Sequence, residues 1–476
     1  MPVVLAGSDS LAPVRNILTN PASPQRMHIV LLPDSNWNNA SAGWIHGWTL
    51  APESVGVTCA GMGYHTFTKD GAPGGINDFI NPLGSVASQA GNYLTNSKLY
   101  LDSVANPDWD PWLGTTFDAQ LGGVSFIRWG LHVWQTAGTL NQNSGRNVRY
   151  VGREGNSTPP MHHPFDITNA LDADIYYLTT DVVAKKQSVT MEVRDFEFPR
   201  ALLGSALVNN DAQGAGASVQ RATISLGAAP RVDGLAIYGI GFNTTVPIAQ
   251  AFGFLWMGAR RTDITGGYIA TVWAGAGGKK TRNYAVALNG ETDQYIDATL
   301  GMHADVAGDG GVILYVHHTT DIGLTTLSFN GVAPSNTPSG NEDNFIASID
   351  RIDARHAILA RNVTVRHLIV SGFNPGSGTA GDAPTRRALY DGIFDQMASN
   401  LATRTNVSAV KSTTMMSDAE ADGWVDSPTT PAHLAHPAYV PQIERVLSAI
   451  MSSGGGVGSQ RDRGRSRAAF VRGNLV

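Results

Sequence analysis

The sequence predicts an α/β protein: a three-layer core around a parallel sheet, interrupted by an inserted β-sandwich. Three observations carry that expectation. Largely apolar runs at His28–Leu32, Gly311–Val316 and Val363–Val370 read as strands buried on both faces, as parallel strands are. Ile443, Val446, Leu447 and Ile450 recur at helical spacing, which gives an amphipathic helix near the end of the chain. Between about residues 100 and 250 short alternating runs take over, among them Phe126–Trp134, Ile175–Leu178 and Val189–Arg194. Turn clusters such as Asn141–Gly145 and Asn209–Gly216 separate them. Many short strands with regular turns predict a sandwich or jelly roll.

Taken in order, residues 1–24 hold Pro2, Pro13, Pro21 and Pro24 and read as an N-terminal arm. Residues 25–99 open the core, 100–254 form the inserted β-sandwich, and 255–452 return to the core. The order strand, long insertion, Gly-rich turn, strand, helix, strand, helix favours parallel pairing through right-handed crossovers. Residues 453–476 form a Gly/Arg-rich tail, with Gly454–Gly456 as a flexible linker before Arg461, Arg463, Arg465, Arg467 and Arg472.

With 476 residues the chain exceeds one hydrophobic core and predicts at least two domains. A net charge of −6 without a basic stripe in the bulk of the chain argues against nucleic acid as a partner. Cys59 is the single cysteine, which excludes an internal disulfide and a cysteine-based metal centre. No run approaches the roughly 20 apolar residues of a membrane span, and no basic segment with an apolar core opens the chain. The expectation is synthesis in the cytoplasm without a signal peptide, and an extracellular or virion destination reached by assembly and lysis.

Two segments about 400 residues apart suggest chemistry. His28–Leu32 runs through Pro33-Asp34 into Ser35, and Thr430-Pro431-Ala432-His433-Leu434-Ala435-His436 precedes the last helical pattern. Between them lie Gly275-Ala276-Gly277-Gly278 and the turn Thr319-Thr320-Asp321 after the second apolar run. In this order the blocks resemble the SGNH (GDSL-type) hydrolases, in which a serine after the first strand and a histidine before the last helix serve as nucleophile and base. The resemblance covers residues 25–99 and 255–452. It implies a flavodoxin-like core, Ser35 as nucleophile, and His433 or His436 as base with His433 fitting the block better. Asp426 would be the orienting carboxylate, and Gly277 and Gly278 the oxyanion donors. Some polysaccharide O-acetyl esterases resembling this plan carry a β-sandwich insertion. Pro33 stands where the family has Gly, Asp321 lies in the turn that should hold a neutral Asn, and Thr430 occupies the last acidic position. These departures give an alternative: a scaffold without catalysis, structural or receptor-binding in a phage-like particle.

Trp37 and Trp44 follow Ser35 closely, and Trp faces stack on sugar rings, so both are candidate contacts to a cell-surface polysaccharide. No cofactor is expected. The Gly-rich run lacks the ending of a phosphate loop. His162-His163 and His317-His318 are adjacent pairs that a strand turns to opposite faces, which disfavours a shared metal. The arginine tail lacks an apolar stripe, while guanidinium groups pair well with carboxylates. Its expected partner is another subunit of a large assembly, and the protein is expected to be a homo-oligomer.

Overall fold

The computed structural model describes residues 3–6, 8–32, 48, 51–64, 132–134, 146–149, 170–179, 186, 188–195, 202–214, 218–227, 235–240, 252–273, 285, 288–289, 293–318, 338–370, 392, 394–401, 403–411 and 439–453. In chain order the strands are β1 (Val3–Ala6), β2 (Arg26–Leu32), β3 (Cys59–Tyr64), β4 (His132–Trp134), β5 (Arg146–Arg149), β6 (Asp172–Leu178), β7 (Ser188–Asp195) and β8 (Leu202–Asn209). They continue with β9 (Val219–Ser225), β10 (Leu235–Ile240), β11 (Phe252–Arg260), β12 (Gly267–Val272), β13 (Gly311–His318), β14 (Val363–Val370) and β15 (Val407–Lys411). The helices are α1 (Ala12–Thr19), α2 (Asp293–Ala307), α3 (Pro338–Leu359) and α4 (Tyr439–Ser452), with further helical turns at residues 51–54 and 394–401.

Eleven strands form one mixed sheet, in the order β1-β15-β14-β13-β2-β12-β3-β11-β6-β9, with β4 beside β11. From β15 through β14, β13, β2 and β12 to β3 every neighbouring pair is parallel. Strand β1 at one end, and β11, β6 and β9 at the other, pair antiparallel. Counted along the chain with β3 set aside, β2, β12, β13, β14 and β15 stand in the order 2-1-3-4-5. Their carboxyl ends lie along one edge, where Leu32 of β2 is in register with His317 of β13, and His317 with Ile369 of β14.

Alternation within the buried strands sends side chains to two different helix layers. Met27, Ile29 and Leu31 of β2, Val312, Leu314 and Val316 of β13, and Leu368 and Val370 of β14 pack with Val14, Ile17 and Leu18 of α1 and with Ile443, Val446, Leu447 and Ile450 of α4. On the opposite face Val30, Leu32, Ile313 and Tyr315 meet Ile296, Leu300 and Val306 of α2 and Ile352 of α3. Ile369, Val407 and Ala409 meet Phe345 and Ile349 of α3 and Phe394, Met397 and Leu401 of the 394–401 turns. Helix α2 stops where Gly308 takes a positive φ of 79° and its N–H bonds back to Ala304 O at 2.9 Å, the left-handed C-terminal cap that glycine allows.

Residues expected as an N-terminal arm are built into this core. Strand β1 pairs with β15, and Leu11, Val14, Ile17 and Leu18 are buried. Pro13 sits in the first turn of α1, where a missing N–H costs nothing.

The antiparallel region has its own sheet, β5-β10-β7-β8. Met191, Val193 and Val208 of that sheet pack with Ala173 and Ile175 of β6 and Ile224 of β9. One layer of this sandwich therefore belongs to the large sheet. Strand β11 runs across the expected boundary at 254/255 and ties β6 to β3. Gly63 and Gly258 face each other on β3 and β11, and a Cβ on either would overlap the Trp256 ring that lies over both.

Candidate functional site

Ser35, Trp37, Trp44, Gly277, Gly278, Asp426, His433 and His436 lie outside the described residues. Two of the strands that lead to them are described: β2 ends at Leu32 and β12 at Val272. Trp48, four residues after Trp44 in the sequence, is fully buried with the core.

The described chemistry lies on the α2/α3 face of the parallel sheet, beneath the carboxyl edge. Alternation in four adjacent strands puts Thr271 of β12, His28 of β2, Tyr315 and His317 of β13, and His367 of β14 on that face. Helices α2 and α3 add His303, Asp353 and His356. All the histidines in this set are buried. Such groups are costly without hydrogen-bond partners, so their connections determine what the site can do.

One branch is fixed in direction. His28 Nδ1–H donates to the His303 carbonyl oxygen at 3.0 Å, since that oxygen can only accept. His28 Nε2 therefore accepts from the Thr271 hydroxyl at 2.7 Å, and Thr271 Oγ1 accepts from Trp256 Nε1–H at 3.1 Å. A second branch centres on the Tyr315 hydroxyl, 3.0 Å from His303 Nδ1 and 2.9 Å from His356 Nε2. Burial, then the Asp353 charge, raises the Tyr315 phenol well above its ordinary range, so it stays neutral. It donates to one imidazole and accepts an N–H from the other. Burial, followed by the charge of His367, pushes His356 down to about 4.

The third branch ends in a carboxylate. Asp353 Oδ1 is 3.0 Å from His367 Nε2, and Asp353 Oδ2 accepts from Asn406 Nδ2–H at 2.8 Å. Burial pushes the Asp353 carboxyl up, but the hydrogen bonds from His367 and Asn406 and the His367 charge outweigh it and hold it below the usual range. His367 Nδ1 lies 3.0 Å from His317 Nε2. Burial, then the His367 charge, holds the His317 imidazole well below the ordinary histidine value, against the opposing pull of Asp353. Tyr315 stacks on His367 at 5.4 Å and 19°, and Phe345 meets His317 edge-on at 6.0 Å, so both rings are held in place.

A cavity of about 630 Å³ lies elsewhere, between the start of β14 and the ends of α2 and α3. It is lined by Arg221, Asp305, Asp309, Arg361 and Asn362. Its polar walls are already paired: Arg361 with Asp305 at 3.6 Å, Asn362 Nδ2 with Asp309 at 2.9 Å, and Arg221 with Asp174 at 3.0 Å. No group of three or more potential metal ligands is assembled among the described residues.

Sequence reasoning missed His28, His317 and His367 as members of this network because each occupies a slot in an apolar strand, where a packed side chain is the default. The available signal was their shared parity: His28, His317 and His367 each alternate with residues that face α1 and α4.

No protein-family model and no curated protein matches the chain. Among solved structures, one similar to it is an arabinose-bound GH51 α-L-arabinofuranosidase, 13% identical with a TM-score of 0.22 over 56% of this chain and 50% of that one. A carbohydrate-binding module from Cellvibrio mixtus lichenase 5A, in complex with cellotriose, is 10% identical with a TM-score of 0.14, over 25% of this chain and 88% of the module. A ruminal GH26 endo-β-1,4-mannanase is 8% identical with a TM-score of 0.13, over 51% of this chain and 62% of that one. The chain thus spans about half the length of the arabinofuranosidase, and likeness at these TM-scores carries no argument about fold or function.

Proposed function

We propose that the chain is a virion- or surface-associated serine esterase of SGNH type that removes O-acyl groups, chiefly acetyl, from a polysaccharide. Ser35 is the nucleophile, Gly277 and Gly278 supply oxyanion donors, and Trp37 and Trp44 contact the glycan. The family resemblance assigns the base to His433 or His436, oriented by Asp426.

The observation that carries this reading is the strand order 2-1-3-4-5 of β2, β12, β13, β14 and β15. Flavodoxin-like sheets of that order bind ligands outside the carboxyl ends of the strands, at the point where the order reverses. That point lies between β2 and β13. Strand β2 ends there at Leu32, and Ser35 follows three residues later in the sequence, which supports its assignment as nucleophile.

The test is hydrolysis of p-nitrophenyl acetate and of an O-acetylated polysaccharide by the wild type and by Ser35→Ala. The wild type should turn over both and the variant neither, with equal melting temperatures. Equal turnover by the two proteins removes the nucleophile assignment. A folded wild type with no turnover leaves the alternative, a particle component on a hydrolase scaffold.

A further inference from the structure

We propose that His317, His367 and Asp353 form a proton relay opening on the carboxyl edge of the parallel sheet, with His317 as the proton acceptor. The inference rests on the serine-esterase reading above, and it names a base for that reaction that the family resemblance does not.

The direction of the relay follows from its inner end. Asp353 is an acceptor, so His367 donates to it through Nε2–H. When His367 carries a single proton, Nδ1 is left as a lone pair, which accepts Nε2–H from His317; when it carries two, its charge is the one that opposes a proton on His317. A neutral imidazole carries one N–H, so the lone pair of His317 is on Nδ1. His317 is 4% exposed, the penultimate residue of β13 and in register with Leu32, the last residue of β2.

The proton balance is then complete. A proton taken at His317 Nδ1 forms one N–H bond there while the Nε2–H bond breaks. The displaced proton forms an N–H bond at His367 Nδ1. Charge therefore settles on the His367 imidazolium, against the Asp353 carboxylate, and His317 returns to a neutral form. The burial that resists charge on His317 favours this hand-off, because the carboxylate lies one ring deeper. The ionisable groups around the pair are Asp353 and His356 of α3, Tyr315 of β13, and Arg366 and Arg404, both of which feel the Asp353 charge.

Asn406 makes the relay reversible by one substitution. In Asp353→Asn the side-chain oxygen must keep accepting from Asn406 Nδ2–H, so the new amide N–H faces His367 Nε2. His367 then carries its own proton on Nδ1 and donates it to His317 Nε2. His317 is left with its proton on Nδ1 and no lone pair to offer. His367 and Asp353 act as positioning residues, and this substitution separates positioning from bulk.

The experiment combines histidine-selective ¹⁵N NMR with kinetics on the full chain. At mildly alkaline pH the wild type should show His317 protonated on Nε2, and Asp353→Asn should show it on Nδ1. With p-nitrophenyl acetate, His317→Gln and Asp353→Asn should each lower kcat by about 100-fold or more, the usual size of general-base catalysis, with little change in KM. A wild-type His317 carrying its proton on Nδ1 overturns the relay without any variant having to fold. So does a His317→Gln protein within about threefold of wild-type kcat while His433→Ala or His436→Ala is inactive. If Ser35→Ala retains full turnover, the esterase reading falls instead, and the NMR result alone decides the relay.

Discussion

At the scale of single residues, hydrogen bonds of fixed direction tie the buried face of the sheet together. Thr271 accepts from Trp256 and donates to His28, so Thr271→Val keeps the shape of the side chain and orphans two buried ring nitrogens. Each unsatisfied buried group costs roughly 1–3 kcal/mol, and a urea titration should show a lower midpoint with an unchanged slope. Gly258→Ala acts through volume: the new methyl meets the Trp256 ring between β11 and β3. Overpacking of this kind costs about 1–3 kcal/mol, and the variant's melting temperature should fall accordingly. Cys59 is inert by comparison. Burial, with the Glu53 charge behind it, pushes its thiol up to about 12. Labelling by a maleimide in the native protein should therefore be far slower than in urea, because the thiolate is the nucleophile. None of these couplings can be read from composition, since they depend on which strands become neighbours.

Among the elements, those whose partners are helices or adjacent strands were legible. Ile443, Val446, Leu447 and Ile450 mark the inward face of α4, and the runs at β2, β13 and β14 declare strands buried on both faces. What stayed hidden were the contacts between distant segments. The first 24 residues read as an arm because four prolines break up a short pattern, Val14, Ile17 and Leu18, that needs β13 and α4 beside it to become a core. Strand β11 gives no sign in its own sequence that it joins β6 to β3. Of the proposed site, the sequence indicates the serine and its strand, whereas the proposed relay needs β13, β14 and α3 together. The α2–α3 contact has the same non-local character. Arg355 donates to Asp297 at 2.7 Å through Nε and to Asp293 at 2.7 Å through Nη1, and Arg351 adds a further pair to Asp293. Arg355→Lys keeps the charge and loses the fork. It should cost about 1 kcal/mol or less, because Asp293 is open to solvent, and a denaturant curve will show it as a small shift of midpoint.

For the whole molecule, the antiparallel sandwich and the parallel core share one continuous sheet, and that governs both pH response and divisibility. His317 and His356 are held neutral in the folded chain and bind protons in the unfolded one. Their contribution to stability is thus fully present above the unfolded histidine value of about 6.5 and is lost as pH falls. For His356 the loss runs from about 6.5 to about 4 and amounts to about 3 kcal/mol. Melting temperatures measured downward from neutral pH should fall through that window, before the carboxylates titrate. Divisibility follows from β11. Strand β6 hydrogen-bonds to β9 on one side and to β11 on the other, Tyr176 meets Trp256 edge-to-face at 5.7 Å, and Asp174 is ion-paired with Arg260 as well as Arg221. A fragment of residues 100–250 keeps β9 and Arg221 but removes β11, Trp256 and Arg260. One edge of β6 then loses its whole ladder, and Asp174 keeps only part of its charge compensation, a loss of several kcal/mol by the usual cost of a broken buried pair. Circular dichroism of that fragment should show no cooperative melt, although the same region in the full chain unfolds together with the parallel core. A sharp, strand-rich transition from the isolated fragment would mean that the four-stranded sheet β5-β10-β7-β8 supports β6 and β9 by packing alone, and that the ladder to β11 contributes little.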